Sequence, residues 1–205
     1  MSESRQHAFS DTGTHGSEAA SSWVQRWSAL VKPRGVVLDV ACGLGRHAIW
    51  FYARNHQVVI VDRSQDAVDS IAKLIPVSAC ESVVADIENG PWPFAGRQFD
   101  AVVVTNYLWR PLFPNLLASL APGGVLIYET FAQGNESVGK PSRPDFLLRT
   151  GELLSHCSGL RIVAFEDGFQ QGPLGESPRF VQRIVAVREI ASPADAAEPR
   201  RYQLA

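Results

Sequence analysis

One stretch constrains this chain more than any other: an apolar run that meets a glycine-rich turn and then a helical pattern. Residues 35–41 read GVVLDVA, and CGLG follows before Arg46 and His47 open the helix. Apolar side chains on consecutive strand positions mean that both faces of the strand are covered, so layers must pack above and below it. The two glycines leave the backbone free to turn sharply and to approach a ligand, and the helix beyond presents unpaired N–H groups to the turn.

The same alternation continues along the chain. Apolar, β-branched runs predict strands at 57–61, 82–85, 100–105, 125–129, 161–166 and 180–187, making seven with the first. Helices are expected between them. The earliest starts at Ser21, carries Trp23, Trp27, Leu30 and Val31 on one face and stops at Pro33. A second spans 46–55 with Ile49, Trp50 and Ala53 inward and Asn55 at its end; a third runs from an N-cap at Ser64 to Leu74. A fourth covers 114–120, and a fifth spans 145–157 in two pieces, with Thr150 capping the second. Residues 91–94, 131–143 and 168–178 read as loops. This order predicts an α/β fold: a Rossmann-like, seven-stranded, mostly parallel sheet with helices on both faces. The last two strands are joined without a helix, which makes the final strand antiparallel. Composition at the ends predicts a disordered tail over 1–20, one domain over 21–190 and a flexible tail over 191–205.

At 205 residues the chain suits one well-buried domain. Its 19 basic and 21 acidic residues leave a formal charge of −2, which gives no general attraction to nucleic acid or anionic membranes. Cys42, Cys80 and Cys157 form no CxxC, and the five histidines have no ligand spacing, so neither a metal site nor a disulfide framework is expected. The first residues lack an apolar secretory core, and no run approaches the roughly 20 apolar residues of a membrane helix. A cytoplasmic protein is the expectation.

Four strand ends carry polar groups. Asp39 lies four residues before Gly43, Asp62 closes the second strand 17 residues after Gly45, Asp86 follows the third, and Asn106 follows the fourth. Open α/β sheets bind ligands in the crevice along that edge. A carboxylate at Asp62 suits the two hydroxyls of a ribose, and one at Asp39 suits a cation beside the glycine turn. Gly43-x-Gly45-x-x-Ala48 also fits a relaxed dinucleotide fingerprint, so an NAD(P)-dependent oxidoreductase stays open on these residues, although Asp39 would repel a pyrophosphate.

The segment from Leu38 to His47 resembles the first motif of the class I S-adenosylmethionine-dependent methyltransferases. Asp62, the segment 85–87, residues 99–107 and the LAPGGVLI stretch from Leu120 resemble their later motifs, in order. Residues 128–131, 134–136 and 146–149 are similar to a small bacterial branch of tellurite-resistance type. The resemblance implies S-adenosyl-L-methionine as cofactor. It implies contacts from Asp39, Ala41, Cys42, Gly43, Gly45, Arg46, His47, Asp62, Arg63, Asp86, Ile87, Asn106 and Tyr107. Ala41 stands where many members have glycine, which is tolerable if its backbone is ordinary. Thr105-Asn106-Tyr107-Leu108 is not the Asn/Asp-Pro-Pro tetrapeptide of many nucleobase-amine methyltransferases. Catalytic candidates are Tyr107 and Glu129, with His47 a further possible base and Cys42 read as packing; Arg110, Asn135 and Glu136 are substrate-side candidates. Residues 131–149 hold Lys140, Arg143 and Arg149 against Glu136 and Asp145, an excess of only +1, whereas tracking nucleic acid takes clustered cations. The expected acceptor is therefore a small molecule or small anion, bound without membrane. An RNA or protein acceptor, and a non-catalytic cofactor-binding module, are the alternatives.

Overall fold

The computed structural model describes residues 19–171, 177–190 and 200–204. The N-terminal tail, apart from its last two residues, lies outside them, as do most of the C-terminal tail and the centre of the 168–178 loop. Helix α1 (Ser22–Trp27) starts at Ser21, whose side chain accepts the Val24 amide. It runs into a short 3-10 turn over Ser28–Leu30. Then β1 (Val36–Val40), α2 (Arg46–Tyr52), β2 (Gln57–Asp62), α3 (Gln65–Ala72) and β3 (Cys80–Val84) alternate. A loop leads to β4 (Phe99–Thr105); α4 (Phe113–Ala118) and β5 (Leu120–Phe131) follow. Helix α5 (Glu152–His156) precedes the hairpin of β6 (Arg161–Gln170) and β7 (Arg179–Val187).

The seven strands are ordered β3-β2-β1-β4-β5-β7-β6. Strands β1 to β5 pair in parallel, and β7 is antiparallel to both β5 and β6. The expected sheet is the observed one. Its chain leaves β1 toward β2 on one side and returns as β4 on the other, so the carboxyl ends of β1 and β4 flank a topological switch point. One face is covered by α1, α2 and α3 through Trp23, Trp27, Phe51, Val68 and Ile71; Phe113, Leu116 and Leu153 of α4 and α5 pack on the other.

Several local expectations change. Ile49 and Trp50 are only partly buried and Ala53 is exposed; His47, Ala48 and Phe51 face the sheet instead, because the helix is phased by its start at Gly45. Thr150 does not cap α5. Gly151 holds the N-cap at φ 68°, and its amide donates to Asp167 Oδ2. The hairpin is longer than expected: Asp167, Gly168, Phe169 and Gln170 pair with β7 as part of an edge strand rather than forming a loop. Strand β5 also begins five residues early and absorbs the Pro-Gly-Gly stretch. Among the described residues no helix is long and apolar enough to cross a membrane.

Candidate active site

A cleft of about 170 Å³ opens along the carboxyl ends of β2, β3, β4 and β5 and the turn after β1. Asp62 and Arg63 line it after β2; Ala85, Asp86, Ile87 and Glu88 after β3; Asn106, Tyr107 and Leu108 after β4. Thr130 and Phe131 close β5, and Pro141 and Phe146 come from the loop beyond it. Ala41 completes the lining.

The turn after β1 is built from left-handed residues: φ is 53° at Ala41, 52° at Gly43 and 76° at Gly45. The backbone at Ala41 is therefore not ordinary, and its methyl group carries a strain of about 1–2 kcal/mol that glycine would not. The two glycines differ in purpose. A Cβ on Gly45 would lie 2.5 Å from Ile71 Cδ1, so that position is needed for α3 to pack. A Cβ on Gly43 would meet nothing within 4 Å. Space is thus left beside the Gly43 backbone. Asp62 holds this turn in place: Oδ2 accepts the Gly43 amide and Oδ1 the Ser64 amide, both at 2.9 Å. Each oxygen has a lone pair left for a ligand hydroxyl.

Of the thirteen cofactor candidates, Ala41, Asp62, Arg63, Asp86, Ile87, Asn106 and Tyr107 line the cleft. Asp39, Cys42, Gly43, Gly45, Arg46 and His47 do not line it. Asp39 is 1% exposed and accepts the Ala48 amide, bracing the start of α2. Burial lifts its carboxyl to about 7. Asp86 accepts the amides of Glu88 and Asn89 and the Asn89 side chain, bonds that hold its pKa below the usual range. Cys42 is buried, which raises its thiol pKa, as expected of a packed residue.

The candidate bases fare differently from expectation. His47 is buried; Nε2 accepts the Ser21 amide at 3.2 Å, which leaves the Nδ1 proton for Thr105 Oγ1 at 3.3 Å. Burial and Arg46 depress it to about 3. It ties α1 to the sheet rather than reaching loop or ligand. Glu129 is 1% exposed, does not line the cleft, and pairs through Oε2 with Arg183 Nη1 at 3.0 Å. Arg183 in turn lies over the Trp23 ring and meets Glu166 at 3.0 Å. The strand register sets Glu129 opposite Arg183, a pairing that faces the core under α1. Tyr107 does line the cleft. Burial, then the nearby Glu88 carboxylate, keeps its phenol protonated, so it is a donor and not a base. Its hydroxyl is buried without a hydrogen-bond partner of good geometry.

The substrate-side candidates organise the loop after β5. Asn135 is buried; its amide donates to Pro141 O and its Oδ1 accepts the Phe180 amide. Arg110 donates to Glu152, to Asp145 O and to Leu147 O, fixing both ends of the Phe146 turn. Glu136 turns back on the Gly134 amide. The lining residues absent from the candidates are Ala85, Glu88, Leu108, Thr130, Phe131, Pro141 and Phe146. The last three belong to the loop that the sequence marked as the acceptor segment, but no local pattern shows which of its side chains turn inward. Among the described residues no group of three or more His, Cys, Asp or Glu is placed to hold a metal ion.

Comparison with known proteins agrees with the fold. Residues 37–124 match a family model described as a methyltransferase domain. No curated protein matches the chain by sequence. Among solved structures, TehB from Haemophilus influenzae is similar over 79% of this chain, with 16% identity and a TM-score of 0.65. The match covers 60% of TehB, so the chain spans less than two thirds of that protein's length. A TehB-like SAM-dependent methyltransferase from Corynebacterium glutamicum is 18% identical with a TM-score of 0.58, covering 80% of this chain and 85% of that one. The glycopeptide N-methyltransferase MtfA, in complex with S-adenosyl-L-homocysteine, is 16% identical with a TM-score of 0.59, covering 83% and 90%. At these identities the likeness is one of fold.

Proposed function

We propose that this chain, which carries a methyltransferase domain over residues 37–124 and the class I methyltransferase fold, methylates a small-molecule acceptor with S-adenosylmethionine as the donor. The domain assigned to this activity is 21–190, and the cytoplasm is its proposed setting. The observation that carries the reading is the pairing of Asp62 with an open glycine turn. The Asp62 carboxylate keeps free lone pairs at the cleft while bracing Gly43, whose backbone has room beside it.

The residues present fit the cofactor. Asp62 would take the ribose hydroxyls, and the apolar walls Ala85, Ile87 and Leu108 would flank a flat base. The donor's amino and sulfonium groups would lie near the turn that Asp39 braces. The cofactor supplies an activated methyl group, and the protein supplies orientation and electrostatics. The Tyr107 hydroxyl, buried without a partner of good geometry, would be available to donate to a bound group, and Phe131, Pro141 and Phe146 would shield it from water.

Calorimetry with S-adenosylhomocysteine and NADH tests the reading directly. Binding of the first at micromolar affinity, with none of the second, is expected, together with turnover of S-adenosylmethionine when an acceptor is supplied. Tight NADH binding without S-adenosylhomocysteine binding would overturn it.

A further inference from the structure

The cleft is chemically divided along its length. Adjacent strands lie about 4.8 Å apart, so Asp62 on β2 and Phe131 on β5, three strands away in the sheet order, are separated by about 14 Å across the edge. All four charged lining residues, Asp62, Arg63, Asp86 and Glu88, sit at the β2 and β3 end. The far half is formed by Thr130, Phe131, Pro141 and Phe146, none of them charged at neutral pH; Tyr107 and Leu108 lie between the two halves, the Tyr107 phenol beside Glu88.

That division bears on the acceptor, and the inference rests on the methyltransferase reading above. We infer that the acceptor is an uncharged molecule with an apolar body, ring-sized, that presents a neutral amine or thiol, and not an oxyanion. Recognition of an oxyanion needs cations or converging N–H donors. Among the lining residues the one guanidinium is Arg63, at the opposite end and outnumbered by three carboxylates. The loop cations Lys140, Arg143 and Arg149 are not among the lining residues: Arg143 pairs with Asp145 at 3.1 Å and lies 5.3 Å over the Phe146 ring, and Lys140 and Arg149 are exposed. Two phenylalanines and a proline instead offer apolar area to a flat or branched body, whose burial favours binding.

The available proton chemistry limits the nucleophile. His47 and Glu129 are committed to the Ser21 amide and to Arg183, and Tyr107 is held protonated. An acceptor served by this half must attack without a protein base, as a neutral amine does through its lone pair and a thiol through its thiolate fraction; the choice against an oxyanion rests on the lining alone. In the transfer, the nitrogen or sulfur lone pair forms the new bond to the methyl carbon. The donor sulfonium becomes a neutral thioether, and the acceptor's proton passes to water.

Matched probes test this. Benzyl mercaptan and mercaptoacetate carry the same thiol, one on an apolar ring and the other beside a carboxylate; aniline supplies the amine and selenite the inorganic oxyanion. We expect kcat/KM for benzyl mercaptan or aniline to exceed that for mercaptoacetate and selenite by at least tenfold. Calorimetry should detect benzyl mercaptan binding to the S-adenosylhomocysteine complex. Phe146→Ala should lower that binding and kcat/KM at least fivefold while S-adenosylhomocysteine affinity changes less than twofold. Phe146→Leu, which keeps apolar bulk, should recover most of the loss. Selenite or mercaptoacetate as the better acceptor would overturn the inference. So would S-adenosylhomocysteine binding without transfer to benzyl mercaptan or aniline, an outcome that leaves the methyltransferase reading standing. Failure to bind S-adenosylhomocysteine at all overturns that reading first, and this inference with it.

Discussion

The Asp62 carboxylate accepts the Gly43 amide at 2.9 Å, so the residue at the end of β2 fixes the turn after β1. One side chain thereby shapes the cleft and faces it. Asp62→Ala removes both the Gly43 and Ser64 bonds as well as the proposed ribose partner. Bonds to a charged group contribute roughly 1.5–3 kcal/mol each, less where water competes. The expected outcome is at least about tenfold weaker S-adenosylhomocysteine binding by calorimetry, equivalent to about 1.4 kcal/mol. The Tm should fall by about 2–6 °C. A lower Tm with unchanged affinity would mean that Asp62 only braces the turn.

The two glycines of the turn should separate in experiment. Gly45→Ala forces a methyl group against Ile71, which lies 2.5 Å from the position it would take, so stability falls by more than about 2 kcal/mol. Gly43→Ala meets no neighbour and bears only the cost of its positive φ, about 1–2 kcal/mol. Its larger effect is expected on cofactor affinity, because the added methyl enters the space beside the turn. Urea unfolding and calorimetry on both variants check the order; equal losses of stability would contradict it.

Ala41→Gly should do the opposite. Its φ of 53° is strained for alanine, and glycine relieves the strain while adding freedom to the unfolded chain. A net gain of about 0.5–1 kcal/mol is expected, seen as a Tm higher by about 1–4 °C. An unchanged or lower Tm would show that the methyl group's packing offsets its strain.

Proton linkage should be unusual near Asp39 and His47. Burial raises Asp39 from 3.8 to about 7, so its contribution to stability is full below pH 3.8 and is lost as pH rises through 7. Burial lowers His47 from 6.5 to about 3, so its contribution is intact above 6.5 and is lost as pH falls toward 3. Between pH 4.5 and 6 the two slopes oppose each other, each at most about 1.4 kcal/mol per pH unit. Asp39→Asn removes one side of the balance. The variant's stability relative to the parent should therefore drop as pH falls from 6.5 to 4.5, measured by urea unfolding at several pH values. A constant difference would show that Asp39 titrates in the fold as it does in water.

How far the sequence carried depends on whether the determining interaction is local. Ser21 and Ser64 cap helices within three residues of themselves, and Asn55 ends α2 at φ 65° by its own backbone preference. The mostly parallel sheet and its antiparallel last strand followed from apolar runs and loop types; the order of the strands did not. The face of α2 did not, because phasing depends on where Gly45 starts the helix and not on which residues are most apolar. Glu129 looked like a cleft carboxylate because it ends an apolar strand. What turns it into the core is Arg183, 54 positions away and directly opposite only once β7 has paired with β5. The apolar half of the cleft was hidden for a related reason. Phe146 turns inward because Arg110, far earlier in the chain, holds the backbone on either side of it.

Arg110 should therefore act on the proposed acceptor half of the cleft without lining it. Its guanidinium donates to both Glu152 oxygens, at 2.6 and 3.0 Å, and to the carbonyls of Asp145 and Leu147 that flank Phe146. The Glu152 side chain is 9% exposed. Burial pushes its pKa up, but the Arg110 hydrogen bonds, the Arg149 amide and Arg110's charge more than reverse this and hold it at about 2. A lowered carboxyl contributes stability above its unfolded value of 4.5, and that contribution is lost as pH falls toward 2. Arg110→Gln leaves Glu152 without its main partner, at a cost of about 1–3 kcal/mol given that Arg110 itself is 28% exposed. The difference from the parent should be full at pH 6 and shrink below pH 4.5. Amide exchange over residues 144–149 should accelerate at least tenfold, while S-adenosylhomocysteine affinity stays within about twofold, since its proposed contacts lie on β1 to β4. Faster exchange throughout the sheet would show that Arg110 supports the whole domain; unchanged exchange at 144–149 would show that the Phe146 turn holds its shape without it.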